Sequence, residues 1–240
     1  MYLPQTEIAT SGATVVIPAR NEEPTIARVV EGVQDALPGV RTIVVDDASS
    51  DATGAAGREA GADVLRLDEW SGYAGALRHG YEAALAGGAR VIAQIDGDGQ
   101  HEPADLPRLI ENLARADVVV GSRFLDGGDY RPTVLRRAGM AGCRWLTARA
   151  GGPDLSDPTS GYRALKRWVA RDIADAGFPR GLTESSLLIR LARRGVRMAE
   201  VPVRMYPSDG VSMHDGLAGG AHALRIGWDV AGLVARPGAR

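Results

Sequence analysis

The chain lacks most of the features that mark secreted, disulfide-bonded and membrane-spanning proteins. Cys143 is the only cysteine among 240 residues, so no intrachain disulfide can form and cysteine alone cannot build a zinc site. No run of about 18 apolar residues occurs, and the nearest candidate, 217–235, is interrupted by histidine and charged residues. Residues 1–10 lack the basic and then apolar pattern of a signal peptide. We therefore expect a cytoplasmic protein without a transmembrane segment, and peripheral contact with a membrane stays open.

Positive charge is also scarce. The formal net charge is -2, and Lys166 is the only lysine, so no global basic field is available to hold nucleic acid. Arginine in place of lysine, together with abundant alanine and glycine, is typical of a GC-rich bacterial genome. The hydrophobic content of 45% and the charged content of 24% are ordinary for a globular protein. A chain of this length forms one large α/β domain or two small domains.

The first half of the chain alternates β-rich runs with helical patterns. The predicted strands span 13–17, 41–45, 63–67, 90–95 and 117–120. The predicted helices span 25–37, 51–60, 72–86 and 103–116, with Asp51 as a cap and Pro103 at a helix start. This alternation predicts βαβ units and a mostly parallel central sheet flanked by helices.

The second half, 122–240, is less regular. We predict helices over 134–150, 167–176 and 183–194, a loop over 157–161, a strand over 196–203 and a weak C-terminal helix over 214–235. No repeat and no low-complexity linker separates the halves, so one domain is favoured over two. The C-terminal helix could pack on the domain, form a homodimer or lie on a membrane, and its few basic residues make the membrane least favoured.

Polar residues follow several of the predicted strands. Asp96-Gly97-Asp98 comes after an apolar strand, and two carboxylates at this spacing can face one divalent cation, with the glycine leaving room for phosphates. An acidic turn is the plain alternative. Asp46-Asp47 ends a β-branched strand, where a carboxylate can accept hydrogen bonds from a ribose or a base. Because ligands bind beyond the carboxyl ends of parallel strands, we expect one shared site there.

The segment after the first strand, 18–22, lacks the glycines of a dinucleotide fingerprint or a phosphate-binding loop. A nicotinamide enzyme and a P-loop nucleotidase are therefore disfavoured. The motifs and their order resemble family-two glycosyltransferases of the GT-A fold, especially the branch with dolichol-phosphate mannose synthase and bacterial polyprenyl-phosphate glycosyltransferases. The matching segments are 16–22, 44–51, 72–80, 96–101, 119–123, 157–163 and 200–203. Seven motifs in the same order are far more specific than any one of them.

The resemblance implies metal-dependent transfer, with inversion, of a hexose or N-acetylhexosamine from a UDP- or GDP-linked donor. It divides the chain into a nucleotide-sugar-binding half (13–121), an acceptor half (122–213) and a tail (214–240). The implied nucleotide-sugar-binding residues are Pro18, Ala19, Asn21, Glu22, Asp46, Asp47, Gly72, Asp96, Gly97, Asp98, Gln100 and Arg123. Asp96 and Asp98, completed by the late His214, would hold Mg²⁺ or Mn²⁺, and Ser160 would lie near the acceptor.

Departures from the family pattern bear on the acceptor, which is either a polyprenyl phosphate or a soluble small-molecule hydroxyl. The family often carries lysine where this chain has Tyr73, and many lipid-phosphate members carry basic residues where this chain has Pro207 and Met213. A phosphate acceptor needs no base, whereas a hydroxyl acceptor usually needs a carboxylate. Asp157 and Glu184 are the candidates for that base, although Asp157 can instead order its loop and Glu184 can favour a helix start.

Two other classes stay open. Sugar-1-phosphate nucleotidyltransferases also use paired aspartates and a metal on a similar sheet, but they usually carry a glycine- and arginine-rich loop after the first strand. Residues 18–22 do not have that composition. The second class is a module that binds a nucleotide sugar without turnover, and the presence of both Asp96 and Asp98 disfavours it.

Overall fold

The structure is a computed structural model that describes residues 12–125, 134–175 and 184–206. Within them the strands are β1 (Ala13–Ala19), β2 (Arg41–Asp46), β3 (Asp63–Arg66), β4 (Val91–Gln94), β5 (Val118–Ser122), β6 (Arg163–Lys166) and β7 (Met198–Pro202). The helices are α1 (Ile26–Ala36), α2 (Thr53–Glu59), α3 (Gly72–Ala86), α4 (Leu106–Glu111), α5 (Val134–Arg149), α6 (Arg167–Asp175) and α7 (Glu184–Arg193). Short 3₁₀ turns, Pro103–Asp105 and Asn112–Ala114, flank α4.

The strands form one sheet in the order β3-β2-β1-β4-β6-β5-β7. Every described pair is parallel except those of β6, which runs antiparallel to both β4 and β5. The predicted single α/β domain with a mostly parallel sheet is therefore confirmed. Strand β6 was not predicted, because its four residues follow a loop, begin and end with a charge and show no alternation of polar and apolar residues.

Two predicted helix starts differ from the observed ones in detail. The helix predicted over 51–60 is α2, and its N-cap is Ala52 rather than Asp51. Asp51 nevertheless accepts a hydrogen bond from the Thr53 amide at 3.0 Å, so it satisfies one free N–H of the first turn from outside the helix. The helix predicted over 103–116 is divided into α4 and its two flanking 3₁₀ turns.

The core lies on both faces of the sheet, and β1 shows how the sequence creates it. Val15 and Ile17 point to one face and pack with residues of α1 and α4, whereas Val16 points to the other face and packs with α3, α6 and α7. All three side chains are fully buried. Burial of each contributes about 1.5–3 kcal/mol, so a strand buried on both faces reads as a continuous apolar run.

None of the described helices has the length and hydropathy needed to cross a membrane. The sheet places the carboxyl ends of β1, β2 and β4 next to one another, because β1 pairs in parallel with both neighbours. The loops that follow these strands build the candidate site.

Candidate active site

The motifs predicted to share a site meet at one edge of the sheet. Ala19 at the end of β1 pairs in register with Asp46 at the end of β2. On the other side of β1, the Gly97 amide donates to the Pro18 carbonyl at 3.3 Å. Segments 18–22, 46–51 and 96–101 are therefore neighbours in space, as the positions of the strands predict.

Hydrogen bonds join the loops after β1 and β2. The Asn21 amide donates to Ser49 Oγ at 3.1 Å, and Asn21 Oδ1 accepts from the Ser50 amide at 2.9 Å. The Glu22 amide donates to Thr53 Oγ1 at 2.8 Å. Asn21 has a positive φ of 57°, a conformation that asparagine tolerates better than most residues. Asn21 therefore shapes this edge of the sheet.

Asp46 and Asp47 have different surroundings although they are adjacent. The Asp46 carboxylate is fully buried, with the Ser49 amide at 2.9 Å on Oδ1 and Arg66 Nη1 at 2.5 Å on Oδ2. Both of its oxygens are satisfied by the protein, which gives it a supporting place in the loop. Asp47 accepts from the amide and hydroxyl of Ser71 through Oδ1 only.

Among the described residues, none donates a hydrogen bond to Asp47 Oδ2, so this oxygen is the better placed to accept a ligand hydroxyl or N–H. The contact with Ser71 also fixes the start of α3, where Gly72 has a positive φ of 74°. The predicted residue Gly72 thus lies next to Asp47 at the same edge.

Glu22, Asp96 and Asp98 form an acidic cluster at the centre of this edge. Burial, followed by the charge of Asp98, raises the pKa of Glu22 to about 7, and the charge of Asp96 adds to this effect. Burial and then the charge of Asp98 raise the pKa of Asp96 to about 6. Burial also raises the pKa of Asp98. Carboxylates that repel one another in this way are stabilised by a bound cation.

A tight turn holds Asp96 and Asp98 in place. Thr25 Oγ1 donates to the Gly97 carbonyl at 2.7 Å, and the Gln100 amide donates to Asp98 Oδ1 at 3.0 Å. A Cβ on Gly97 would lie 3.1 Å from the Ala19 Cβ and 3.3 Å from the Pro18 carbonyl oxygen, so only glycine fits comfortably. Gln100 is itself buried, and its carbonyl accepts from the Tyr206 amide at 2.7 Å.

The Asp96 side chain is 26% exposed, which leaves it within reach of a ligand. Tyr73 donates its hydroxyl to Asp96 Oδ1 at 2.8 Å, at the position where the family often carries lysine. His101 Nε2 lies 3.9 Å from Asp96 Oδ2. Because burial and the nearby Arg123 lower the pKa of His101 to about 3, this imidazole is neutral at physiological pH and gives Asp96 no counter-charge.

In the loop before β6, Asp157 is paired with Arg123. Arg123 Nε and Nη2 donate to the two oxygens of Asp157 at 2.6 and 2.8 Å, and the Asp157 side chain is fully buried. Glu200 Oε1 accepts a hydrogen bond from the Asp157 amide at 2.9 Å and so connects the loop to β7. The structure therefore favours the ordering role for Asp157 over the role of base. The positive charge of Arg123, a predicted nucleotide-sugar-binding residue, is paired with the Asp157 carboxylate.

Glu184, the other base candidate, accepts a hydrogen bond from Arg163, and the same Arg163 Nη2 donates to the Ser160 carbonyl at 2.7 Å. Ser160 is buried and its hydroxyl accepts from the Tyr162 amide at 3.2 Å, so it shapes the loop. Sequence reasoning gave no role to Arg163. The signal available was an arginine followed by Ala164-Leu165, an apolar run in which a charge is unusual.

Comparison with known proteins identifies the family. The family model for glycosyl transferase family 2 matches residues 14–174, about two thirds of the chain. The chain belongs to glycosyltransferase family 2. It is accordingly a glycosyltransferase, as the seven motifs predict.

Two relatives have names that mention a polyprenyl compound. The glycosyltransferase is 34% identical over 238 residues to an undecaprenyl-phosphate mannosyltransferase of Micrococcus luteus, covering 93% of this chain and 98% of that one. It is 33% identical over 214 residues to a polyprenol monophosphomannose synthase of Mycolicibacterium smegmatis, covering 83% of this chain and 79% of the other.

Solved structures confirm the GT-A fold of the glycosyltransferase. Glucosyl-3-phosphoglycerate synthase of Mycobacterium tuberculosis, in complex with Mn²⁺, UDP and glucosyl-3-phosphoglycerate, matches with a TM-score of 0.71 at 23% identity, covering 96% of this chain and 83% of that one. The same enzyme has been crystallised with Mg²⁺ and UDP. At this level of identity the likeness concerns the fold.

The pair of carboxylates from Asp96 and Asp98 fits a divalent cation in its chemistry. The carboxylates of Asp96 and Asp98 are hard oxygen ligands, and their raised pKa values reflect burial and, for Asp96, the repulsion that a cation would relieve. In the part of the chain that the structure describes, no three acidic, histidine or cysteine side chains converge as a metal site. Further ligands would have to come from a substrate or from His214, which lies outside the described residues, as do Pro207 and Met213.

Proposed function

We propose that this glycosyltransferase moves a hexosyl group from a UDP- or GDP-linked donor to a polyprenyl phosphate, with inversion and with Mg²⁺ or Mn²⁺. The observation that carries the proposal is the acidic cluster of Glu22, Asp96 and Asp98 at the carboxyl edge of the sheet. In that cluster the pKa of Glu22 is raised to about 7 by burial and by repulsion between neighbouring carboxylates. The undecaprenyl phosphate in the name of one relative and the polyprenol monophosphomannose in the name of another support the choice of acceptor.

The nucleoside would rest on the edge formed by segments 18–22 and 46–47, with Asp47 Oδ2 accepting from the base or ribose. Asp96 and Asp98 would hold the cation, which neutralises the charge that develops on the leaving diphosphate. Since the described residues provide only part of a coordination shell, the donor phosphates would provide ligands of their own. Gly97 supports this arrangement by letting the turn pack against Ala19 and Pro18.

The acceptor side favours a phosphate nucleophile. Arg123 already occupies the carboxylate of Asp157, and Arg163 donates to that of Glu184, so neither candidate is an unengaged proton acceptor. A phosphate oxygen is already ionised and needs no base. It would attack the anomeric carbon of the sugar, and the bond from that carbon to the diphosphate would break with its electron pair leaving on the nucleoside diphosphate.

Binding and transfer can be tested in one series. Calorimetry with UDP and GDP, each with and without Mn²⁺, should show binding of one of them that depends on the metal. Asp98→Asn should abolish it, whereas Asp63→Asn, an exposed aspartate at the opposite edge of the sheet, should leave it unchanged. If neither nucleotide binds with Mn²⁺, the donor assignment is wrong.

The acceptor is tested by mass spectrometry of products from a short polyprenyl phosphate and from the matching polyprenol. Transfer to the phosphate alone is the expected result. A soluble hydroxyl acceptor is the second candidate, favoured by the uncharged residues Pro207 and Met213 in a segment where lipid-phosphate members often carry basic ones. It would be supported by donor turnover with sugar alcohols in place of the lipid. Release of pyrophosphate from a nucleoside triphosphate and a sugar phosphate would instead indicate a nucleotidyltransferase.

A further inference from the structure

Arg163 is a fully buried arginine at the junction of the two halves of the site. Its side chain is 0% exposed and lies on β6. Nη2 donates to the Glu184 carboxylate and to the Ser160 carbonyl, whereas Nε and Nη1 have no hydrogen-bond partner among the described residues. A buried guanidinium with unsatisfied N–H groups lowers the stability of the folded protein, which points to a role beyond packing.

The strand pairing places Arg163 beside a chain of hydrogen bonds that ends at Asp96. Arg163 is the register partner of Gln94 across β4 and β6. Gln94 accepts from the Tyr81 hydroxyl and donates to the Tyr73 hydroxyl at 3.3 Å, and Tyr73 donates to Asp96 at 2.8 Å. The charge of Arg163 favours the ionised form of Asp96 and of both tyrosines, so the guanidinium interacts electrostatically with these three members of the hydrogen-bond network.

The backbone next to Arg163 also presses against Asp96. A Cβ on Gly161 would lie 3.2 and 3.3 Å from the two Asp96 carboxylate oxygens and would overlap the Tyr73 hydroxyl. The 160–163 segment therefore lies close to the Asp96 carboxylate, and Arg163 holds that segment through the Ser160 carbonyl. These contacts join the donor-side carboxylate to the first residue of α7.

We infer that Arg163 is a positioning residue that fixes Asp96, on the donor side, relative to Glu184 and the Ser160 loop, on the acceptor side. The inference rests on the proposed function, because the relative position matters only if both sides act on one sugar. Reacting atoms must be held about 3–3.5 Å apart, and a displacement of about 1 Å can lower the rate by roughly 10²-fold. Arg163 connects the groups that set this distance.

The simpler role is that Arg163 only neutralises Glu184. The variants Glu184→Gln and Arg163→Met/Glu184→Gln separate the two roles, because the double variant leaves no unpaired charge between these positions and so favours correct folding. We expect the double variant to bind the nucleoside diphosphate with Mn²⁺ within threefold of the wild type. We expect its turnover of the nucleotide sugar to be at least tenfold below that of Glu184→Gln. Equal turnover in the two variants, or a parallel loss of nucleotide binding, would overturn the positioning role.

A stability cycle tests the link to Asp96 without any assay of transfer. Asp96→Asn is introduced into Glu184→Gln and into the double variant, and the urea midpoint of unfolding is measured for all four proteins at pH 8 without metal. We expect Asp96→Asn to shift the midpoint upward by more in the background that lacks Arg163, since there the buried carboxylate has lost its nearby cation. Equal shifts would mean that the two residues are uncoupled. The stability cycle does not depend on nucleotide binding. If the wild-type protein failed to bind a nucleoside diphosphate, the proposed function would be overturned, but the result of this cycle would still hold.

Discussion

At the level of single side chains, the carboxylates of the acidic cluster that would bind the cation also lower the stability of the metal-free protein. Asp98 lies close to Glu22 and Asp96, and its charge raises the pKa of both. Asp98→Asn removes this repulsion and keeps an oxygen for the Gln100 amide. We expect its metal-free unfolding midpoint to rise by about 2–4 °C, corresponding to roughly 1 kcal/mol, while nucleotide binding with Mn²⁺ is lost.

Thermal unfolding followed by circular dichroism measures both effects, with the exposed Asp35→Asn as the control. A lower midpoint for Asp98→Asn in the absence of metal would show that Asp98 stabilises the turn more than it repels its neighbours.

The raised pKa of Glu22 predicts opposite effects of pH on the free and metal-bound protein. Its pKa is about 7 in the folded protein against an ordinary value of 4.5, so the folded state binds the proton more tightly than the unfolded state. The resulting stabilisation is present below pH 4.5 and is lost as the pH rises from there through about 7. Mn²⁺ requires ionised carboxylates, so the Mn²⁺-induced rise in the midpoint should grow between pH 5.5 and 8.

Thermal scans across this pH range, with and without Mn²⁺, provide the measurement. Glu22→Gln should flatten the metal-free profile relative to the exposed control Glu111→Gln. His101 is neutral in the folded protein throughout this range because its pKa lies at about 3, but its imidazole titrates near 6.5 once the protein unfolds, so it adds its own pH dependence to every profile. Since Glu22→Gln keeps His101, the difference between the wild-type and Glu22→Gln profiles isolates Glu22. A profile that is identical in the wild type and Glu22→Gln would contradict the assignment.

The roles of single residues were only partly predictable from the sequence. Asp96 and Asp98 could be selected as candidates because their position after an apolar strand is a local feature. The partners of Asp157 and Glu184 could not, since Arg123 lies 34 residues before the first and Arg163 lies 21 residues before the second. A carboxylate that looks like a base in sequence becomes one half of an ion pair once the strands are assembled.

At the level of elements, α3 approaches the sheet closely at Gly80. A Cβ there would overlap Val16 Cγ1 of β1 and lie 3.0 Å from Val45 Cγ2 of β2, so the helix or the strands would have to move. Gly80→Ala should therefore destabilise the protein by about 1–3 kcal/mol, less the gain of up to about 1 kcal/mol from helix propensity. Gly142→Ala is the matched control in α5, where a Cβ meets nothing within 4 Å and propensity alone should stabilise.

Urea unfolding of both variants gives the comparison. The prediction fails if Gly80→Ala is as stable as Gly142→Ala, since that would mean that α3 can shift without loss.

In the loop before β6, Gly161 lies close to the side chains of Tyr73 and Asp96 in the candidate site. Gly161→Ala should push against both the Tyr73 hydroxyl and Asp96, and we expect at least a tenfold loss of metal-dependent nucleotide binding. Tyr73→Phe in the same protein removes the hydroxyl that the new methyl group overlaps. It should restore part of that binding, measured by calorimetry, provided that Tyr73→Phe alone binds well enough to serve as the reference. A loss that Tyr73→Phe does not relieve would place the clash elsewhere.

Strand β6 marks the limit of prediction at this level. The parallel strands could be predicted because each is a run of β-branched and apolar residues followed by a helix of suitable length. Strand β6 has four residues, and its place between β4 and β5 comes from pairing with strands that lie far away in sequence. Nothing local in Arg163–Lys166 shows that it reverses the direction of the sheet or carries a buried arginine into the site.

At the level of the whole molecule, the sheet connects the two halves predicted from the sequence. Strands β1 to β4 and all but the last residue of β5 belong to the first predicted half, 13–121, whereas β6 from the second predicted half lies between β4 and β5. Ala93 of β4 and Val119 of β5 both pair with Ala164 of β6, so neither half has a complete sheet alone. The predicted division at 121 therefore does not separate two structural units.

This continuity predicts a single unfolding transition that ligand shifts as a whole. With the nucleoside diphosphate and Mn²⁺ at about 100 times the dissociation constant, binding to the folded state adds about 2.7 kcal/mol, or roughly 5–10 °C in the midpoint. Differential scanning calorimetry should show one peak, with equal calorimetric and van't Hoff enthalpies, that moves intact. Asp98→Asn should show the same single peak without the shift, because its fold is retained while its cation site is lost. Two peaks, of which only the first moved with nucleotide, would mean that the acceptor half unfolds on its own and that β6 holds the halves together only weakly.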